Sequence, residues 1–545
     1  YDVIKAGIAD VNGTEIASGN DTAWRQVFNY AQALAANPTV NANLYWTLQG
    51  LNPDGTRNPS LPVLVDMDNL IDFMAVIFYT GGYDTGLSQF LNNNQGNNWF
   101  GIYNHTTADQ GFQFFIHDNE HSLGAQEDPV HGSQNIDRTG PFNNGNQHNY
   151  SQYNPQYLHQ DLLASPEYKQ RFIDEVQRLF FNDGALTVNN DIARLMERVN
   201  EVDPAVIAEA ARWGDSKVTV PRNKTTWQTE INWLIQTYFP TRGTTVLNQL
   251  HGDGLYSFPA PTFSQLGGTV PLWYPLTFSN AMGVIYYTTD GSDPRLIGGA
   301  VSPTAKVFTG QIAISGNMVV KTRSLSLGSW SGIVSASFNT VEVPGDYNGS
   351  GTVDQSDYNV WRTNFGSATS LAADGNHNGV VDMADYVLWR ANLGNSMSFG
   401  AAIDTSEDDL AAILARWYAE VAATPIATAA GHSSASGIVD PISARPDLLI
   451  SRPFISITNA PLSAPRSEHL FTLRADESPN AQNNLLLMMG TGAQPQPTSG
   501  STGIARESAF AQLDEDCLSD EAGLQPNLGS GTSAELLAAN FGRPN

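Results

Sequence analysis

The feature that most constrains this chain is a tandem repeat over residues 346–385. The segments 346–357 and 374–385 align without gaps at an offset of 28 residues. Both carry oxygen-bearing side chains at positions 1, 3, 5, 9 and 12, and both have glycine at position 6. Calcium is a hard cation that takes six to eight oxygen ligands, and alternate residues of a tight loop can point at it. The repeat therefore predicts two calcium-binding loops.

Each predicted loop supplies ligands from positions 1, 3, 5, 7, 9 and 12, with position 7 contributing its main-chain carbonyl. Matching helices are predicted to follow the loops, over 358–366 and 386–394. The alternative is a pair of surface turns that hold no metal, and the duplication argues against it. The predicted ligands are Asp346, Asn348, Ser350, Thr352, Asp354 and Asp357 in the first loop and Asp374, Asn376, Asn378, Val380, Asp382 and Asp385 in the second.

Residues 344–396 as a whole resemble the dockerin type I family. The resemblance implies an α-helical module with two EF-hand-like calcium loops that docks onto a cohesin-like domain of a scaffold or surface protein. In that family loop positions 10 and 11 help to set partner choice. They are Gln355 and Ser356 in the first loop here, and Met383 and Ala384 in the second, where the best-known members have Ser-Thr pairs.

Length and charge limit the classes of protein to which the chain can belong. At 545 residues it is too long for a single hydrophobic core. Its 54 acidic residues outnumber 27 Lys and Arg, a balance that disfavours binding to nucleic acid or to anionic membranes. The sequence contains no run of 18 apolar residues, so it predicts no membrane-spanning helix. Together with the calcium repeat, this composition predicts a secreted, extracellular or cell-surface protein. The first residue is Tyr1, and we expect a processed or truncated product.

Changes in composition and in hydrophobic pattern along the sequence predict four regions. Residues 1–255 are expected to form a mainly α, α+β domain, and residues 344–396 the calcium module. Residues 256–343 are expected to form a small Ig-like β-sandwich that includes strands over 284–289 and 318–322. Residues 397–545 are low in complexity and predict a mostly disordered, acidic tail with one helix over 406–418. Within the first domain we predict helices over 66–76, 165–181 and 191–212, with Gly184 as the C-cap of the second.

The predicted sandwich contains a recognisable segment at 286–294. A β-type run there ends in Asp290-Gly291, and Pro294 stops further strand pairing. This segment resembles the C-terminal domain of chitobiase and β-hexosaminidase. The resemblance implies an accessory domain that acts either as a spacer or in carbohydrate binding.

Three polar stretches of the first domain contain candidate chemistry. Asp84 follows the predicted helix at 66–76, Asn98 precedes an apolar run, and Asp118 follows the next one. The order Asp, Asn, Asp is known from protein kinases, where one Asp accepts the hydroxyl proton while the Asn and the second Asp hold magnesium. The 14 residues between Asp84 and Asn98 exceed the spacing of an ordinary kinase catalytic loop. By themselves these residues are equally compatible with turns, or with a metal site that has no catalytic role.

Residues 1–250 resemble the C-terminal lobe of the spore-coat CotH kinase-like family. The resemblance rests on the acidic start of the helix at 66–72, on Gly82-Tyr83-Asp84, and on the run at 115–120. It implies that Asp84 is the catalytic acid/base, and that Asn98 and Asp118 hold Mg²⁺ or Mn²⁺ with ATP. Glu120 stands where members often have a second Asp. The nucleotide-covering N-terminal lobe is largely absent, so we expect a kinase-like protein that is inactive as it stands.

Two other functions remain open at this point. Dockerins commonly accompany polysaccharide-degrading enzymes, and Asp84 with Glu120 could form the acid and nucleophile of a glycoside hydrolase. The chain could also be a non-catalytic protein that only assembles on a surface. The substrate is accordingly a protein or a glycan.

Overall fold

The computed structural model describes residues 1–6, 14–107, 109–124, 134–279, 281–397, 410, 412 and 414–419. The predicted disordered tail lies outside these residues beyond 419, and so does the start of the predicted helix at 406. Within them, no helix is long and apolar enough to cross a membrane.

Helices dominate the first 255 residues. A π-helical turn, Leu234–Tyr238, joins the last two of them, and two short 3₁₀ turns precede the fourth. The helices are α1 (Thr22–Ala36), α2 (Asn43–Leu48), α3 (Met67–Thr80), α4 (Pro155–Leu162), α5 (Pro166–Phe180), α6 (Val188–Trp213), α7 (Lys224–Trp233) and α8 (Phe239–Gly252).

A small antiparallel sheet accompanies these helices. Its strand order is β2-β1-β5-β6, and β5 and β6 form a hairpin in which Trp99 lies opposite Ile116. A separate two-stranded pair, β3 with β4, lies in the loop between α3 and β5. The strands are β1 (Asp2–Ala6), β2 (Thr14–Ser18), β3 (Gly86–Leu87), β4 (Gly96–Asn97), β5 (Trp99–Tyr103) and β6 (Gln113–Ile116).

Helix α3 is the central element of this domain, and its prediction is confirmed. The Asp66 carboxylate caps the first turn by accepting the Asn69 N–H, as an acidic N-cap residue should. Nearly every residue from Met67 to Tyr79 is buried. The helix ends at Gly81, whose φ of 66° is the left-handed conformation that favours glycine at this position. The chain is thereby turned into the loop that carries Asp84.

The other two predicted helices are also present, but Gly184 is not the C-cap of α5. Ser165 caps the start of α5, and Phe181 in extended conformation ends it. Gly184 lies in the following turn, where a Cβ atom would approach the carbonyl oxygens of Arg178 and Leu179 to 2.4 Å. Close approach to the helix end, and not a left-handed cap, is therefore what requires glycine.

Residues 262–341 form a β-rich region, which we call the sandwich. Its larger sheet has the order β12-β11-β14-β16-β8, in which β16 and β8 run parallel, and β13 pairs with β9. The strands predicted at 284–289 and 318–322 are confirmed as β11 and β14. The strands are β7 (Thr262–Phe263), β8 (Gly268–Pro271), β9 (Tyr274–Leu276), β10 (Phe278–Ser279), β11 (Val284–Thr288), β12 (Lys306–Val307), β13 (Ile312–Ile314), β14 (Met318–Ser326), β15 (Ser329–Trp330) and β16 (Val334–Val341).

The repeat forms two helices, α9 (Gln355–Asn364) and α10 (Met383–Asn392). Both begin three residues before the predicted start, because Asp354 and Asp382 at loop position 9 act as N-caps with complete capping boxes. The two halves contact each other reciprocally. Trp361 Nε1 donates to the Asp382 carbonyl at 2.7 Å, and Trp389 Nε1 donates to the Asp354 carbonyl at 2.8 Å.

A last described segment, within 410–419, is helical and packs on the first domain. Leu410 and Trp417 belong to the same buried cluster as α3. Trp417 Nε1 donates to Asn232 Oδ1 at 2.8 Å, and its ring meets Trp227 edge-on. The described residues of the segment predicted as a helix over 406–418 are thus helical.

Candidate functional site

Helix α3 and strand β6 are fixed to each other by one buried amide. Asn69 Oδ1 accepts the Phe114 N–H at 2.5 Å, and Asn69 Nδ2 donates to the Phe114 carbonyl at 3.3 Å. The side chain thus satisfies both polar groups of a strand residue, as a neighbouring strand would. Since Asp84 follows α3 and Asp118 follows β6, this contact sets the position of the two candidate residues.

The Asp84 carboxylate is half-buried and held on both oxygens. Ser88 Oγ donates to Oδ1, while Asn97 Nδ2 and Asn98 Nδ2 donate to Oδ2 at 3.0 and 3.2 Å. Hydrogen bonds from neutral donors orient a carboxylate without neutralising its charge. The Asp84 carboxylate therefore has a fixed orientation.

Asn98 connects the other two predicted residues. Its Nδ2 donates to Asp84 and also to the Asp118 carbonyl, at 3.0 Å. Its own carbonyl accepts the His117 N–H at 3.0 Å. Both Asn98 and Asp118 have positive φ, 53° and 49°, a conformation that is uncommon for residues other than glycine and concentrates at functional sites. The structure thus brings Asp84, Asn98 and Asp118 together.

The turn after β6 is bound to the loop after α3. Thr85 Oγ1 donates to Asn119 Oδ1 at 2.6 Å, and the Tyr83 N–H donates to the His121 carbonyl at 2.9 Å. Glu120 lies at the edge of this arrangement, is exposed, and approaches His121 Nε2 at 3.4 Å. Of the four predicted residues, Glu120 is the one that does not join the network around Asp84 in the described contacts.

The long spacing between Asp84 and Asn98 has a structural explanation that the sequence did not reveal. The intervening residues form β3, a tight loop and β4, and the buried Arg138 holds them. Arg138 donates to the Leu87 carbonyl and, at 2.6 Å, to Asn93 Oδ1. Burial lowers the pKa of Arg138 to about 10, so it remains charged at neutral pH.

A second buried arginine, Arg242 on α8, was also not predicted. It donates to the carbonyls of Phe78 and Tyr79 in the last turn of α3, and to those of Gln134 and Ile136 at 2.8 and 2.9 Å. A cation is stabilised at a helix C-terminus by the unpaired carbonyls there. The only sign of Arg242 in the sequence is that an arginine occurs within a helical pattern of apolar residues. Many exposed arginines occur in the same kind of pattern, so the sign does not reveal burial.

The donor set around Asp84 is compatible with a magnesium or manganese ion. The carboxylates of Asp84 and Asp118 and the amide oxygen of Asn98 are hard ligands of the kind that Mg²⁺ takes alongside substrate phosphates. The Asp118 side chain is exposed, as a ligand that faces a phosphate should be. By their donor chemistry these three residues match such an ion.

The first repeat loop is organised around two buried carboxylates. The Asp346 side chain accepts the N–H groups of Ser350 and Gly351, and Asp357 Oδ1 accepts those of Tyr347 and Asn348. Burial and the adjacent charge of Asp357 raise the pKa of Asp346 to about 6. Two carboxylates forced together in this way are stabilised by a cation between them.

The second loop reproduces this arrangement. Asp374 accepts the N–H groups of Asn378 and Gly379, and Asp385 accepts those of Asn376 and Asp382. In the part of the chain that the structure describes, no three His, Cys, Asp or Glu side chains form a metal-binding group. The remaining predicted ligands are the carboxylates of Asp354 and Asp382, together with amide, hydroxyl and main-chain oxygens.

Comparison with known protein families locates two domains. Residues 17–246 match the family described as CotH kinase protein, and residues 275–338 match the family described as Fn3 associated. The large domain is CotH kinase-like. No curated protein and no solved structure matches the chain.

The CotH kinase-like domain contains all four predicted residues, from Asp84 to Glu120. The sandwich matches the Fn3-associated family, so its resemblance to the chitobiase domain stays a prediction. The two family matches do not extend to residues 344–396.

Proposed function

We propose that the CotH kinase-like domain carries a phosphoryl-transfer site in which Asp84 is the acid/base. The observation that supports this best is the single hydrogen-bonded group formed by Asp84, Asn98 and Asp118, which come from three separate segments. Kinase-type transfer relies on positioning and on charge, with little covalent chemistry by the protein. A preorganised carboxylate that an amide joins to the segment carrying a second carboxylate meets that requirement.

In this proposal each residue has a limited task. Asp84 accepts the proton of the substrate hydroxyl, and Ser88, Asn97 and Asn98 hold its carboxylate in position. Asn98 and Asp118 would hold Mg²⁺ or Mn²⁺, with Glu120 as a ligand from the edge of the site. When bound, the ion neutralises charge on the phosphates of ATP.

The test is metal-dependent labelling by radioactive ATP. The variant Asp84→Asn keeps the size of the side chain and removes the base, so labelling should fall on the order of 100-fold or more. Asp118→Ala should abolish it. The control is Asp109→Asn, an exposed carboxylate in the β5–β6 hairpin that pairs only at 3.4 Å with Arg57. Equal labelling by Asp84→Asn and by the wild type would rule out this role for Asp84. If the wild type gives no labelling, the proposed kinase activity is wrong.

We also propose that residues 344–396 bind two calcium ions and attach this protein to a cohesin-like partner outside the cell. Supporting this are the two matched loops, each folded around a buried pair of carboxylates, Asp346 with Asp357 and Asp374 with Asp385. Backbone N–H groups of the loops already bond to both oxygens of each carboxylate. The ion would add a further bond to these preorganised groups.

The two helices of this module differ on their exposed faces. Residues 355, 359 and 363 of α9 are Gln, Asn and Thr, whereas the corresponding residues 383, 387 and 391 of α10 are Met, Val and Ala. Met383 and Val387 are 54% and 62% exposed. Apolar side chains on an otherwise polar surface favour a protein contact, and this supports docking through α10 rather than α9.

Calcium binding is tested by calorimetric titration of the intact protein. The wild type should bind two ions, and combining Asp346→Ala with Asp374→Ala should abolish both sites, because each variant removes the position-1 ligand of a loop. Asp215→Ala, an exposed carboxylate outside the repeat, is the control. Two ions bound to the double variant would contradict the assignment.

A further inference from the structure

The contact between the CotH kinase-like domain and the Fn3-associated sandwich is built around a fully buried arginine. Arg323 on β14 is 2% exposed in its side chain and uses all five of its N–H groups. It forms a double hydrogen bond with Asp174 of α5 at 2.5 and 2.8 Å, and another with Asp293 of the sandwich at 2.7 and 2.6 Å. The fifth goes to the Ser331 carbonyl at 3.0 Å. One cation thus joins a carboxylate from each domain.

A second arginine repeats this pattern about two turns nearer the start of α5. Arg295 makes a double hydrogen bond to Glu167, with both distances 2.8 Å, and the Gly298 N–H adds a third at 2.9 Å. Both groups are largely buried, at 10% and 16% exposure of their side chains. Hydrogen bonds from Arg295 hold the pKa of Glu167 below its ordinary value, although burial by itself would raise it.

Uncharged contacts complete the surface. Gln170 Nε2 donates to the Ser331 carbonyl at 3.0 Å, and Gln177 Oε1 accepts the Ala260 N–H at 3.0 Å. At Gly332 the backbone lies so close to α5 that a Cβ atom would be 2.5 Å from the Cβ of Gln177. The α5 side of the contact therefore extends from Glu167 to Gln177, nearly the whole helix.

These contacts differ from those of a flexible joint between domains, which are typically small and polar with exposed ion pairs. A buried ion pair adds little to the free energy of unfolding when compared with a well-packed apolar contact. Separating its partners is nevertheless very unfavourable, because a charge then stays buried without compensation. Opening this interface would leave Asp174 and Glu167 on α5 without their cations.

We propose that the acidic face of α5 is a dedicated interaction surface whose partner is the arginine-bearing edge of the sandwich in the same chain. The CotH kinase-like and Fn3-associated domains then fold and unfold as one cooperative unit. The sandwich is then an integral part of the kinase-like domain and not a separate spacer, which is one of the two roles that the resemblance implied. This inference holds whether or not the domain transfers phosphate.

The test is hydrogen exchange of the full-length protein in increasing urea, followed by mass spectrometry of peptides from α3 and from β14. The two elements lie in different domains. Arg323 is itself part of β14, whereas none of the described hydrogen bonds of Arg323 or Glu167 goes to α3. In the wild type both should lose protection at one urea concentration, as a single cooperative unit does. In Arg323→Met, which keeps volume and removes the charge, exchange should be on the order of 100-fold faster in both.

Arg198→Met is the matched control, because Arg198 pairs with Glu197 and Glu201 on the exposed face of α6. It should leave both elements unchanged. Glu167→Gln is a milder variant in case Arg323→Met does not fold, and it should accelerate exchange in both elements about tenfold. Faster exchange in β14 with unchanged protection in α3, in either interface variant, would overturn the proposal.

Discussion

At the scale of single residues, this protein buries charge where its elements meet. Asp72 on α3 is 6% exposed, and its carboxylate approaches Arg178 Nη2 of α5 at 3.3 Å. Burial, followed by the nearby charge of Glu175, raises the pKa of Asp72 to about 7. The ion pair with Arg178 therefore compensates only part of the loss of hydration.

The raised pKa of Asp72 has a testable consequence for stability. The native state holds this proton more tightly than the unfolded state, whose ordinary pKa is 3.8. The ionised Asp72 carboxylate therefore destabilises the native state. This destabilisation is complete above about pH 7 and disappears as the pH falls towards 4. Asp72→Asn should raise the free energy of unfolding at pH 8, by at most about 4 kcal/mol. This gain should shrink steadily as the pH is lowered to 5.

Urea denaturation at several pH values measures this difference between variant and wild type. Comparing the two proteins cancels the contributions of all other titrating groups. Asp109→Asn, which changes an exposed carboxylate, should give no such pH-dependent difference. A gain in Asp72→Asn that is the same at pH 5 and pH 8 would show that the pKa of Asp72 is not raised.

At the scale of elements, local signals and tertiary contacts agree most closely in α3. The Asp66 carboxylate caps the helix through Oδ1, and its Oδ2 accepts Gln113 Nε2 of β6 at 3.2 Å. One side chain therefore starts the helix and joins it to the strand that leads to Asp118. Asn69 makes the second connection one turn later.

Removal of this cap should destabilise the domain measurably. We expect Asp66→Ala to lower the free energy of unfolding by about 1–2 kcal/mol, since both an N-cap bond and a bond to β6 are lost. Thermal denaturation of the intact protein measures it. Thr187→Ala at the N-cap of α6, where the side chain makes no capping hydrogen bond, should have a smaller effect. Equal effects of the two substitutions would contradict the role of Asp66.

At the scale of the whole molecule, the described domains contact one another through specific side chains. The sandwich joins α5 through Arg323 and Arg295, and the segment within 410–419 returns to the kinase-like domain at Trp227 and Asn232. The repeat also lies against the sandwich, where a Cβ atom at Gly349 would be 2.5 Å from the backbone of Trp273. The order of domains along the chain gives no indication of these contacts.

The sequence by itself determined the elements whose signals are local. A cap at Asp66, a left-handed glycine at Gly81 and the alternation of apolar residues depend on neighbours in the chain, so helix α3 and strands β11 and β14 could be predicted. The repeat was equally clear, because its 28-residue offset places each side chain relative to its own loop. The candidate residues Asp84, Asn98 and Asp118 were found through their order, together with a family resemblance.

Only the tertiary structure decided which of these residues meet and what holds them. Arg138, Arg242 and Arg323 each bind groups that are tens to more than a hundred residues away, and an arginine in a sequence looks the same whether it is buried or exposed. Glu120 likewise stood beside Asp118 in the sequence but lies outside the network around Asp84. The physical reason is that burial and long-range hydrogen bonding are properties of packing, to which distant segments contribute as much as the residue itself.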